Sequence, residues 1–183
     1  PYLTRCMIVF LSIYQMSKKI AADVYTSLNK LRFLLGRWRG VGIGKGGPSG
    51  QWAYEELLEI STTGQPWISY VGNGYKDNAA RHCEMGFFRG HTDGHVSMCL
   101  TDTLGNAYLL MGKMPEDEST PSTLTLTTES VVSPFFGRQP RVTKVERTYT
   151  RSGDSLTMHV KMATTNCDEL EEHLHITYEP EVT

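Results

Sequence analysis

The sequence predicts an all-β fold, an antiparallel barrel or sandwich, on three observations. Gly36, Trp38, Gly40, Gly42 and Gly44 recur at strict two-residue spacing, the period of a strand whose alternate side chains point to opposite faces. Turn signals recur at short intervals: Gly46-Gly47-Pro48, Thr63-Gly64-Gln65-Pro66, Gly72-Asn73-Gly74, Asp93-Gly94, Leu104-Gly105-Asn106 and Ser152-Gly153-Asp154. Between them lie short runs, most of them rich in Thr, Val, Tyr or Phe, the side chains that fit a pleated, half-buried surface.

Taken in order, residues 1–16 read as an extension outside the fold and residues 17–183 as the domain. The apolar stretch from Cys6 to Tyr14 follows Arg5 like a short signal core. It is too short to cross a bilayer, which takes about 20 apolar residues. Tyr14-Gln15-Met16-Ser17 also offers bulky side chains where a cleavage site wants small ones. Pro1 is not an initiator, so the chain reads as a fragment or as carrying an upstream extension, with Met16 a candidate start. Residues 17–35 then repeat Ile20, Val24, Leu28, Leu31 and Leu35 at three- and four-residue steps, which predicts one short helix.

The strand over 36–44 puts four glycines and Trp38 on one face and Arg37, Arg39, Val41 and Ile43 on the other. A face so bare of side chains suits a sharply curved wall, or a surface that something bulky approaches. Residues 55–60 favour helix by the propensity of Glu and Leu, yet they sit between closely spaced turns, which makes them a strand. Further strands are predicted over 67–71, 84–89, 95–101, 107–113, 124–130, 143–150, 156–163 and 174–178.

Composition narrows the function. A chain of 183 residues with 39% hydrophobic content buries a full core in one domain. Its formal charge of -2 and lack of a long basic run exclude a phosphate-tracking surface, so nucleic acid is not expected as a partner. Cys6, Cys83, Cys99 and Cys167 are scattered, with no Cys-x-x-Cys pair, and read as reduced thiols of a cytoplasmic protein. Gly42, Gly44 and Gly47 match Gly-x-Gly-x-x-Gly, but Pro48, Ser49 and Gly50 stand where a dinucleotide site needs a helix N-terminus. Glu116-Asp117-Glu118 lies between Pro115 and Pro121 and reads as a solvated loop, and no Gly-x-Ser-x-Gly nucleophile motif occurs.

Histidines are the remaining source of chemistry. Of the six, His91 and His95 flank the Asp93-Gly94 turn and are expected at the surface. His159 sits in a strand and is open to either face. His82 and the pair His173-Leu174-His175 stand out, because two-residue spacing puts both imidazoles of the pair on one face of the last strand.

Leu34-Leu35-Gly36-Arg37-Trp38-Arg39-Gly40-Val41-Gly42-Ile43-Gly44 resembles the Gly-x-Trp-x-Gly-x-Gly-x-Gly signature of the nitrobindin family. Tyr54-Glu55-Glu56, Gly64-Gln65-Pro66, His82-Cys83-Glu84-Met85-Gly86-Phe87-Phe88-Arg89, Met162-Ala163-Thr164-Thr165 and His173-Leu174-His175-Ile176-Thr177-Tyr178 continue the match in the family's order. The resemblance runs from about Leu31 to Tyr178.

It implies a ten-stranded antiparallel barrel, shaped like the lipocalins and fatty-acid-binding proteins, holding one ferric b-type haem. The axial ligand maps to His173, with His175 either supporting the ligand from behind or structural. His82 matches a histidine near the haem pocket, with Arg81 and Met85 replacing the family's methionine and serine. Ser49 stands where the family has a haem-contacting threonine, and one residue is missing nearby. The loop before His173 departs from the family in lacking a proline beside the ligand. Trp38 reads as a core residue on the barrel floor rather than a haem contact.

The implied activity is isomerisation of peroxynitrite to nitrate, with nitric oxide binding at the open axial position. Expected partners are those small molecules, with no membrane, and the resemblance leaves room for a homodimer. The alternative reading of the same barrel is a haem-free carrier of a fatty acid or other apolar ligand; a third is a haem-based sensing domain.

Overall fold

The computed structural model describes residues 15–16, 28–45, 50–115, 122–137 and 139–181. Ten strands are present: β1 (Gly36–Lys45), β2 (Gln51–Ser61), β3 (Ile68–Lys76), β4 (Ala79–Gly90), β5 (His95–Asp102), β6 (Ala107–Lys113), β7 (Ser122–Val132), β8 (Val142–Ser152), β9 (Ser155–Thr164) and β10 (Cys167–Pro180). Each pairs antiparallel with the next, and β10 returns to pair with β1, so the sheet closes into a barrel with no free edge. The barrel reading of the sequence therefore holds over the sandwich. No helix among the described residues is long and apolar enough to cross a membrane.

The predicted helix is described only at its end. Residues 17–27 lie outside the described residues, and before β1 the chain forms a 3-10 turn, Arg32–Leu34. Leu31 and Leu34 are fully buried and plug one end of the barrel. Trp38 lies beside them, 2% exposed, and its indole N–H donates to the Leu34 carbonyl at 3.0 Å. The Arg151 guanidinium covers its ring at 4.6 Å from the centroid. Each of these large apolar side chains contributes roughly 1.5–3 kcal/mol by leaving water, so this end is the closed floor.

Strand alternation explains the walls. On β1, Trp38, Gly40, Gly42 and Gly44 face inward while Arg37, Arg39, Val41 and Ile43 face solvent. The bare inner face is covered by the chain's own aromatics: a Cβ on Gly42 would lie 2.6 Å from the Tyr54 ring, and one on Gly44 would overlap Trp52. Glycine is needed there for that close approach.

Several strands run longer than the sequence reading, and two of the differences change how the chain is read. Gly72-Asn73-Gly74 lies inside β3, and the chain reverses at Asp77-Asn78, whose φ angles of 53° and 60° make a two-residue hairpin turn. The last strand starts at Cys167, because the acidic run Asp168-Glu169-Leu170-Glu171-Glu172 still pairs irregularly with β9. Cys83, Cys99 and Cys167 are free thiols; Cys6 lies outside the described residues.

Candidate functional site

The opposite end of the barrel is its mouth, bounded by the connections after β1, β3, β5, β7 and β9. Inward-facing side chains near this end come from strands far apart in sequence. Trp52 and Tyr54 enter from β2, His82 from β4 and His173 from β10.

A β-bulge aims His173. Pairing with β9 jumps from Glu172 opposite Lys161 to Leu174 opposite Val160, so His173 is the extra, unopposed residue. Glu172 and His175 both reach His159 on the outer face, Glu172 by a short hydrogen bond and His175 with its ring 5.5 Å away. They are three residues apart, so the alternation breaks once between them, and the break turns His173 inward. Its ring meets Trp52 edge-on, with centroids 5.7 Å apart. The expectation that His173 and His175 share a face is thus corrected: the bulge separates them.

His173 is half-buried, and that burial lowers its pKa below the ordinary histidine value, partly opposed by a hydrogen bond to the Lys45 backbone. A neutral ring with one N–H tied to a carbonyl keeps its other nitrogen as a lone-pair donor, the form a metal ligand takes. Among the described residues no cluster of three or more His, Cys, Asp or Glu stands ready for a bare ion.

His82 shares the inner face of β4 with Glu84, Gly86 and Phe88. Its Nε2 lies 3.2 Å from Glu84 Oε1, and that hydrogen bond raises the His82 pKa above its usual value. Glu84 is in turn gripped by Arg147 from β8, whose Nη1 donates to Oε2 at 2.7 Å and Nη2 to Oε1 at 2.5 Å. Burial alone would raise the Glu84 carboxyl; the Arg147 charge and the hydrogen bonds from His82 and Arg147 outweigh it and hold the group at about 2.

Glu56, 6% exposed, accepts a 2.9 Å hydrogen bond from the Tyr178 hydroxyl. Burial, and then the neighbouring Glu84 charge, push it up to about 7. The barrel interior below the mouth is therefore a polar layer of Glu56, Glu84 and Arg147 among Tyr70, Tyr149 and Tyr178. Sequence reasoning does not single out the first three as site residues. A signal is nevertheless present: each interrupts an otherwise apolar inward set, Arg147 between Val145 and Tyr149, for example.

The remaining candidates fall elsewhere. Ser49 lies outside the described residues. His91 and His95 sit at the closed end, half-buried rather than fully exposed, held to Ser97 at 2.9 Å and Asp93 at 3.2 Å.

Comparison with known proteins places these features in a wider set. The family described as "THAP4-like, heme-binding beta-barrel domain" matches residues 27–179. An Arabidopsis thaliana protein named peroxynitrite isomerase Rv2717c is 28% identical over 153 residues, which cover 82% of this chain and 87% of that protein. The human protein named peroxynitrite isomerase THAP4 is 28% identical over 154 residues, 81% of this chain but 26% of that longer protein. The crystal structure of Rv2717c from M. tuberculosis superposes with a TM-score of 0.77 at 25% identity, covering 85% of this chain and 98% of that one.

Proposed function

The chain belongs to the THAP4-like, haem-binding β-barrel family, the nitrobindin family that its glycine and histidine blocks resemble, and on that premise we propose that it is a haem-dependent peroxynitrite isomerase with His173 as the iron's protein ligand. The observation that carries the reading is the bulge at His173, which turns a neutral imidazole into the mouth. One imidazole does not hold a bare ion, whereas a macrocycle brings four nitrogens of its own and would need only one further donor from the protein. The donor set fits the group.

Haem held there by His173 would be a ferric b-type centre, one per domain, and would supply the iron chemistry for binding nitric oxide and isomerising peroxynitrite to nitrate. The chain's own residues do the rest. Lys45 fixes the ring orientation of His173 through its backbone, and Trp52 packs against the ring edge, limiting water at the bond. His82, its pKa raised by the hydrogen bond to Glu84, stands at the mouth as a polar wall of the site. The buried Glu84–Arg147 pair sets the position of His82. Ser49, outside the described residues, stands in the sequence where the family has a haem-contacting threonine. The free thiols support a reducing compartment, the cytoplasm.

The carrier reading is less well served. A fatty-acid carboxylate inside the barrel needs a free cation, and Arg147, the buried cation among the described residues, is already committed to Glu84. Haemin titration decides between the two: wild-type protein is expected to develop a Soret band that His173→Ala abolishes or strongly shifts. An unchanged spectrum in the variant overturns the ligand assignment.

A further inference from the structure

Two histidines on the outer wall of the barrel take no part in the mouth. His159 of β9 and His175 of β10 stand directly opposite each other, and the pairing around them runs unbroken from Leu174 to Tyr178. Opposed residues on neighbouring strands hold their Cβ atoms about 4.5–5.5 Å apart, so both side chains leave the sheet side by side. Their rings meet edge-on with centroids 5.5 Å apart. His175 is exposed and His159 half-buried, which leaves the pair open to solvent. The bulge that turns His173 inward also brings Glu172 to this side, where its carboxylate bonds His159 Nε2. A carboxylate on one nitrogen of a neutral imidazole fixes the ring and leaves the other nitrogen as a lone-pair donor. Across the register the pair is flanked by Ile43 of β1 and Thr148 of β8, neither of them charged. The nearest lysines lie further along the strands: Lys161, held by Glu146 at 3.4 Å, and Lys45 at the end of β1.

We propose that His159 and His175 form a binding site for a divalent transition metal of the zinc, nickel and copper class, with Glu172 orienting the His159 ring. Imidazole suits these ions, whereas magnesium and calcium call for oxygen donors. Two imidazoles sharing one tetrahedral ion at about 2.0–2.1 Å set their centroids roughly 5 Å apart, close to the separation across β9 and β10. Water fills the remaining positions, as suits a site on an open wall. An ion held here ties β10 to β9 two residues beyond His173. It also stabilises the fold, because the unfolded chain does not hold the two rings side by side. The site lies outside the barrel and does not depend on the haem reading.

Calorimetric titration of Ni²⁺ into the full chain, free of any histidine tag and of haem, tests it. Wild-type protein is expected to bind the ion, and His159→Ala and His175→Ala each to bind it about a hundredfold more weakly, because the second imidazole acts at high effective concentration. Glu172→Gln is expected to weaken binding by about tenfold, through the orientation of His159. Ni²⁺ should also raise the melting temperature of wild type and leave that of His175→Ala unmoved. Pulsed electron paramagnetic resonance of bound Cu²⁺ gives a readout that does not rest on the variants' stability: two coordinated imidazole nitrogens are expected in the His173→Ala background, where the mouth has lost its own donor. No Ni²⁺ binding by wild type, equal binding by wild type and His175→Ala, or fewer than two imidazoles on the Cu²⁺ overturns the proposal. So does a greater loss of Ni²⁺ binding in His173→Ala than in His175→Ala, which would place the ion in the mouth.

Discussion

Glu84 of β4 and Arg147 of β8, 63 residues apart in sequence, meet across the barrel interior as a two-pronged ion pair with side chains 12% and 7% exposed. Neither charge is tolerable alone at that depth, because an unpaired buried ion loses its hydration without compensation.

Removing one partner should therefore cost far more than removing both. Arg147→Met is expected to destabilise the fold by about 3–5 kcal/mol in chemical denaturation, and Arg147→Met with Glu84→Leu by much less. Additive losses in that double-mutant cycle would show that the pair is not coupled.

Glu56 sets a pH dependence of opposite sign to the usual carboxylate. Its folded pKa is raised from 4.5 to about 7, so the folded state holds the proton more tightly than the unfolded chain. The stability it contributes is fully present below 4.5 and is lost as pH rises through 7, at no more than about 1.4 kcal/mol for each pH unit. Glu84, lowered to about 2, contributes stability that is present above 4.5 and is lost as pH falls toward 2. Denaturant titrations should thus show wild-type stability falling between pH 5 and 7, and Glu56→Gln should flatten that slope. An unchanged slope in the variant would assign the dependence elsewhere.

The bulge makes two neighbouring histidines separable. Haemin affinity should collapse in His173→Ala and stay within about twofold of wild type in His175→Ala, whose ring packs on His159 outside the barrel. Comparable losses in both variants would mean the bulge does not separate their roles.

Gly44→Ala tests the packing behind the site. A Cβ there would overlap Trp52, which must then leave its place beside the His173 ring. A loss of about 1–3 kcal/mol in stability is expected from the overpacking, with weaker haemin binding measured by titration. A variant as stable as wild type would show that Trp52 moves freely.

Strand periodicity makes most of the barrel legible in the sequence. The glycine run of β1, the turn signals and the Thr- and Val-rich runs are local, and local alternation decides which side chains face a core. Gly72-Asn73-Gly74 misleads for the same reason: glycine is turn chemistry by itself, yet here Gly72 lies inside because Glu56 and Tyr70 fill the space beside it. The Asp77-Asn78 reversal carries a weaker signal, with no glycine or proline to mark it. Helical spacing over 17–35 overstates the helix at its described end, where a 3-10 turn is enough to close the floor under Trp38.

The sequence by itself determined an antiparallel β fold, an inward Trp38 and glycine face on β1, and a short set of histidines worth considering, because these follow from two-residue spacing and from block order along the chain. Only the tertiary structure decided that His173 turns into the mouth while His175 stays outside, and that Glu84 meets Arg147. A bulge is a mismatch between two strands, and an ion pair across a barrel joins strands that are distant in sequence. Neither relationship is a property of any one stretch of chain, so both wait for closure of the sheet.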